Sequence, residues 1–369
     1  MEVLMATPNY WDYLKLNTLL TLQNGLEEES ELAPDELHFI ITHQVFELWF
    51  KLALAELRYA RDHLAAPQVP EEKIPYVVHH LRRVNRVINL LVSSFEVMET
   101  LTPQDFLSFR DKLTPSSGFQ SFQMRELEMI MGMQSVGRLR LGKTDALEHI
   151  RALSKSSPNG AMAWGRLLKA SEEQSIRSAL HEWLYRTPIQ GSSPDDDGDT
   201  EVVDAFLASY LGAINHHHTQ QADRLIAIGL GNTDDIRARF ANNTEHARLY
   251  LFAEDLDEAD RPRRRRIRAA LVFIESYRTL PLLAWPRLLV DTMVEFEEQM
   301  VLFRTRHARM VERIIGRRVG TGGSSGVDYL DKTTRIRIFT DLWGARTLLL
   351  PKDRTPPVHN ADFYGFATD

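Results

Sequence analysis

The chain contains no cysteine among its 369 residues. That excludes disulfides, thiolate metal sites, cysteine nucleophiles and thioether-linked cofactors, and it makes a reducing compartment the natural expectation. No apolar run approaches the roughly 18 residues of a membrane span. The first residues, MEVLMATPNYWDYLKLN, lack the basic start and apolar centre of a secretory signal. Excess positive charge is also missing: 44 Lys and Arg stand against 51 Asp and Glu, a net charge of −7. Nucleic-acid-binding domains usually carry a net basic surface. The expectation is a cytoplasmic protein without membrane or nucleic-acid partners. Convincing runs of alternating, strand-like sequence are lacking too.

What is present is helical periodicity. Thr42–Leu64 has no internal Gly or Pro and is rich in Leu, Ala, Glu and Lys, which favour helix. Ile74–Met98 is similar. Thr102-Pro103-Gln104-Asp105 reads as a helix start, with Thr as N-cap, Pro first and an acid third. Further helices are predicted over Phe119–Met133, Thr144–Arg151, Ser171–Tyr185, Val203–Ile228, Arg263–Arg278 and Trp285–Ile315. The fold class is all-α, a helical bundle. GSSPDDDGDT, Gly191–Thr200, is acidic and turn-rich and is expected to be a mobile loop. AEDLDEADRPRRRR, Ala253–Arg266, reads as a solvated connection leading into a helix start. One domain spanning 1–369 is expected, with the middle of the chain as an insertion.

Four features can carry chemistry. GTGGSSG, 320–326, is glycine-rich, but Val327 follows where a P-loop needs Lys, and the glycine spacing is one residue too long. A dinucleotide fingerprint fails as well, because Ser325 takes the last glycine position and helix, not strand, precedes it. A loop of little bulk remains, able to approach a ligand closely or to act as a linker after a helix capped at Gly316. His307 shares a helix face with Met300, Phe303, Met310 and Ile314. It is either a core histidine or an axial ligand above an apolar floor. Phe39 and His43 stand at i and i+4, and Phe46 and Phe50 continue that face. Such a wall is either plain core or a seat for an aromatic ligand bearing one N–H. Arg110 follows Phe106 by one turn, so it is either a surface arginine or a carboxylate anchor. Two histidine clusters are set aside. His216, His217 and His218 are adjacent and point about 100° apart on a helix, so they cannot share one ion, and His79-His80 fails likewise.

Taken together, the chain resembles the heme-dependent tryptophan 2,3-dioxygenases. The resemblance rests on YWDYLKL (10–16), DELHFIITHQVFELWFK (35–51), TPQDFLSFRDKLTPSSGFQSFQ (102–123), EWLYRTP (182–188), RTRHARMVERIIG (304–316) and GTGGSSGVDYL (320–330), in the family's order. The stretch around 189–260 is diverged, and 351–369 reads as an irregular tail. The resemblance implies heme b, one per subunit, with His307 as axial ligand to its iron and Ser117 near a propionate. It implies a substrate site in which Phe39 and Phe106 pack on the ligand, His43 meets the indole N–H, Arg110 holds the carboxylate and Thr321 touches the head group. Tyr10 and Tyr13 match tyrosines that the family lends to a neighbouring subunit's pocket, so a homotetramer is implied, with a dimer of dimers as one arrangement. The implied reaction is cleavage of the indole C2–C3 bond of L-tryptophan by O2 to N-formylkynurenine, the first step of catabolism through kynurenine. A monooxygenase acting on a related aromatic amino acid is the alternative on this scaffold. One departure stands beside the iron ligand: Phe303 replaces the family's usual Trp, which keeps an apolar contact and loses an indole N–H.

Overall fold

The computed structural model describes residues 9–25, 32–114, 116–133, 146–155, 157–321 and 326–365. Among the described residues there are helices and no strand, only an isolated bridge between Ile189 and Ser192. The all-α expectation is met. In chain order the helices are α1 (Tyr10–Tyr13), α2 (Leu16–Leu19), α3 (Glu36–Ala65), α4 (Ile74–Met98), α5 (Pro103–Phe109), α6 (Phe122–Met131), α7 (Ala146–Leu153) and α8 (Pro158–Glu172). Then come α9 (Ile176–Arg186), α10 (Asp199–Ala227), α11 (Thr233–Leu251), α12 (Arg261–Ser276), α13 (Ala284–Ile315), α14 (Val327–Thr333) and α15 (Thr340–Thr347).

Three long helices frame the centre, with α4 packed against both α3 and α13. Their buried residues recur at helical steps: Phe50, Leu54, Leu57 and Leu64 on α3; Val77, Leu81, Val84, Ile88, Leu91 and Phe95 on α4; Leu289, Met293, Phe296, Met300 and Phe303 on α13. Each such side chain contributes about 1.5–3 kcal/mol through burial. Asn85 is 2% exposed and donates from Nδ2 to the Thr292 carbonyl at 3.1 Å, which fixes the register of α4 against α13.

Local chemistry explains most boundaries. Thr102 is extended, and its hydroxyl accepts from Asp105 N at 3.2 Å, so α5 starts as the sequence predicts. The predicted Ser171–Tyr185 helix is instead two helices. Ser175 caps α9 by accepting from Ser178 N at 3.1 Å, and Glu173 is extended and binds Arg58 at 2.9 Å. The predicted Phe119–Met133 helix opens with a 3-10 turn at Gly118–Gln120 before α6 begins. The start predicted at Thr144 lies outside the described residues.

One expectation about a polar segment is corrected. Gly191–Thr200 is pinned rather than loose: Gly191 N donates to the Tyr364 hydroxyl at 3.0 Å, and Ser192 donates to Asp199 at 2.8 Å. Asp199 is itself buried and holds both oxygens 2.8 Å from Arg266. The second polar segment behaves as expected: residues 254–260 are exposed apart from the partly buried Leu256, and α12 starts at Arg261, but arginines of that helix are paired. Arg266 and Arg268 are 4% and 5% exposed, and Arg268 reaches Asp341 at 2.8 Å. The run of like charge is absorbed because α12 turns these arginines toward acids from three other segments. Residues 351–365 are irregular apart from short 3-10 turns, anchored by Tyr364, whose hydroxyl donates to the Pro188 carbonyl at 2.9 Å.

Candidate functional site

Helices α3, α4, α5, α6, α13 and α14, with the segments after α5 and α13, line a cavity of about 910 Å³ that opens to the surface. Its size suits a cofactor and a small ligand together, at the upper end of the roughly 300–1,000 Å³ usual for such sites. Phe39, His43, Phe106, Arg110, Ser117, His307 and Thr321 all line it. The structure therefore gathers residues separated by as much as 282 positions (Phe39 to Thr321) around one space. It does not bring Tyr10 or Tyr13 there. They are 70% and 79% exposed, and neither α1 nor α2 buries a residue.

On α3 the one-turn spacing stacks Phe39 against His43, with ring centroids 4.1 Å apart. Nδ1 of His43 lies 2.8 Å from the Phe39 carbonyl oxygen. A carbonyl only accepts, so Nδ1 carries the proton and Nε2 keeps its lone pair. Part of the ring is accessible, but what it faces is the cavity, and the surrounding protein lowers its pKa by burial. His43 is a neutral hydrogen-bond acceptor set beside aromatic rings, since Phe106 and Phe109 lie 5.9 and 5.6 Å from Phe39.

On α13 His307 is neutral for the same reason. Burial, then the charges of His43 and Arg125, lower its pKa from 6.5 to about 4. Phe95 stacks on it, with centroids 5.6 Å apart and planes 9° from parallel, and Phe303 lies at 6.2 Å. Phe303 also packs with Phe46, Phe50 and Phe95, so one side of His307 is flanked by phenyl rings. Gly316, at φ 59°, ends the helix, as its sequence position suggests.

Arg110 and Thr321 act first on the backbone. Arg110 Nη2 donates to the Val319 carbonyl at 2.6 Å, and the Thr321 hydroxyl donates to the Ser116 carbonyl at 2.6 Å. Ser117 caps the following 3-10 turn, its hydroxyl accepting from Phe119 N at 3.4 Å. Gly322, Gly323, Ser324 and Ser325 lie outside the described residues. Three further lining residues have no counterpart in the sequence reading: Phe95, Arg125 and Arg304. Arg304 stands one turn before His307, and that spacing was available as a signal. Phe95 reads as ordinary core on α4, and nothing local marks Arg125. The histidine clusters set aside above stay separate: His218 meets Thr244 at 2.8 Å, His80 meets Glu56 at 2.6 Å, and no metal-binding group of His, Asp or Glu occurs among the described residues.

Fold and cavity together define an all-α protein with a cavity lined mainly by apolar and aromatic side chains, into which His43, His307, Arg110, Arg125 and Arg304 are also set. The sequence profile of the tryptophan 2,3-dioxygenases matches residues 2–349. The chain is 43% identical over 375 residues to tryptophan 2,3-dioxygenase 2 of Ralstonia nicotianae, covering 99% of both chains. It is 44% identical over 368 residues to tryptophan 2,3-dioxygenase of Sorangium cellulosum, covering 98% of this chain and 88% of that protein. A tryptophan 2,3-dioxygenase-like protein of Xanthomonas campestris is 43% identical over 272 residues, 73% of this chain and 99% of that one. The chain belongs to the tryptophan 2,3-dioxygenase family, and it is an oxidoreductase of the dioxygenase type.

Proposed function

We propose that the protein cleaves the indole C2–C3 bond of L-tryptophan with O2, using heme b, and releases N-formylkynurenine. Both oxygen atoms enter the product, so the overall reaction consumes no external reductant. The observation that carries this reading is the pair of neutral histidines, His43 and His307, facing one phenyl-lined cavity.

The residues present fit heme. His307 is unprotonated at neutral pH, as an axial ligand must be. Neither of its ring nitrogens has a hydrogen-bond partner among the described residues, and the surrounding phenyl rings offer a porphyrin an apolar bed. His307 would hold the iron, and Ser117 would lie near a propionate. Bound there, heme would supply the iron centre at which O2 is activated. The protein's share is position and dryness.

Phe39 and Phe106 would pack on the indole, and His43 Nε2 would accept its N–H. An indole N–H is a very weak acid, so a positioned acceptor suffices and full proton removal is not required of His43. Arg110 spends one donor on Val319 and keeps others for the substrate carboxylate. The Thr321 hydroxyl gives its proton to Ser116 and keeps lone pairs that can accept from the substrate ammonium. Tyr10 and Tyr13, so exposed here, would complete the pocket of a neighbouring subunit in a homotetramer. No helix among the described residues is long and apolar enough to cross a membrane, which fits a cytoplasmic enzyme. One domain over 1–369 belongs to the same reading.

The test is anaerobic reduction of the heme-loaded protein, addition of L-tryptophan and then O2, and mass analysis of the product. Two added oxygens are expected. One added oxygen would mark a monooxygenase and overturn the proposed reaction.

A further inference from the structure

Arg304 is the least satisfied charged group of the cavity wall. It shares a helix face with His307, three residues on. It is 4% exposed and lines the cavity, yet Nε and Nη2 have no hydrogen-bond partner among the described residues. A buried guanidinium without acceptors is costly, and its orphaned N–H groups require an explanation. The nearby carboxylates do not supply one. Glu128 already accepts from Arg125 Nη1 at 2.8 Å. Glu297 lies two turns back, and its oxygens accept from Ile338 N, Phe339 N and Trp343 Nε1. Nε of Arg125 is also unpartnered. Glu128 and Glu297 both act on Arg304 through their charge, but the oxygens of each accept from other groups, so Nε and Nη2 of Arg304 are left without an acceptor.

We propose that Arg304, with Arg125 beside it, forms a carboxylate seat for the acidic edge of the planar cofactor, separate from the Arg110 anchor. The inference rests on the heme reading above. A carboxylate offers the two acceptors that a guanidinium fork matches in its plane. One helical turn separates the seat from His307, so a single rigid ligand is held at its centre by the histidine and at its rim by the arginine. The substrate's own carboxylate is the other source of the same chemistry. It is disfavoured because Arg110 already stands with Phe39 and Phe106 at the aromatic wall.

The experiment titrates the heme-free protein with iron protoporphyrin IX and, separately, with its dimethyl ester, followed by Soret absorbance. Wild type, Arg304→Met and Arg304→Lys are compared, along with the melting temperature of each heme-free protein. Arg304→Met is expected to weaken binding of the diacid on the order of ten-fold or more. It should leave the diester nearly unchanged and not lower the heme-free melting temperature, and Arg304→Lys should recover part of the loss. Equal loss for both porphyrins would mean a packing role and overturn the seat. A lower heme-free melting temperature would mean that Arg304 serves Glu128 within the fold, and would overturn it too. Weaker tryptophan binding with unaltered porphyrin binding would give the seat to the amino acid. A wild type that binds heme beside an equally competent Arg304→Met overturns this inference alone, whereas a wild type that takes up neither porphyrin overturns the heme reading itself.

Discussion

Arg110 holds the backbone of Val319: its Nη2 donates to that carbonyl at 2.6 Å. Two residues on, Thr321 returns the contact by donating to Ser116 at 2.6 Å. The chain leaving α13 is thus stitched to the chain leaving α5, and the two proposed contacts to the substrate head group are built on one another.

Arg110→Ala is expected to weaken L-tryptophan binding by about 2–5 kcal/mol, the range for a desolvated charge pair that loses one partner. Arg110→Lys keeps the charge and loses the fork, so it should recover only part. Spectral titration of the heme-loaded variants with tryptophan measures both. An unchanged dissociation constant in Arg110→Ala would remove the carboxylate role.

His43 is expected to orient rather than to be indispensable. Its Nε2 offers one hydrogen bond, worth about 1–3 kcal/mol when a buried partner is left unpaired. His43→Ala should therefore lower kcat/KM by roughly ten- to a hundred-fold, with product still formed. Complete loss of turnover, with heme and tryptophan still bound, would show that His43 does obligatory proton chemistry.

His181 makes stability depend on acid. Its Nε2 lies 3.5 Å from Asp341 and 3.2 Å from Arg264 Nη1. Burial, then the Arg264 charge, pushes its pKa from 6.5 to about 3, against the pull of Asp341. In the unfolded chain the ring regains its ordinary value and binds a proton that the folded chain refuses. The contribution to stability is therefore complete above pH 6.5 and is lost as pH falls toward 3. His307 acts in the same direction in the heme-free chain, with its folded pKa about 4. The urea midpoint of the heme-free protein should fall steadily on acidification below pH 6.5, and less steeply in His181→Gln. Identical slopes for the two proteins would contradict the assignment.

Glu297 ties the end of the chain to the helix that carries His307. It is 1% exposed, and it accepts from Ile338 N, from Phe339 N at 3.2 Å and from Trp343 Nε1 at 2.6 Å. Glu297→Ala strands three donors and opens a void, so a loss of about 3–5 kcal/mol in urea unfolding is expected. Glu297→Gln retains an acceptor oxygen and should lose less. Near-normal stability of Glu297→Ala would show that α15 is held by its apolar contacts alone.

Much of the fold was legible because its signals are local. Helices α3, α4 and α13 are long, periodic and free of internal glycine, and α5 announces itself through Thr102 and Pro103. Helices α8 and α11 went unread for equally local reasons. Gly160 and Gly165 interrupt the first, and TDDIRARFANNTEHARLYL in the second is too polar to show an apolar stripe. The acidic loop before α10 looked loose on its own. It was misread because the partner of Asp199 is Arg266, 67 residues away.

By itself the sequence determined the class, the family and the faces on which His43 and His307 stand, because helical spacing carries side-chain direction within one element. Only the tertiary structure decided that these faces share a cavity, that Phe39 sets the tautomer of His43, and that Phe95 stacks on His307. It alone left Arg304 buried without an acceptor. Those outcomes depend on which helix packs on which, and burial, desolvation and unpaired hydrogen bonds come into being only when distant segments exclude water together.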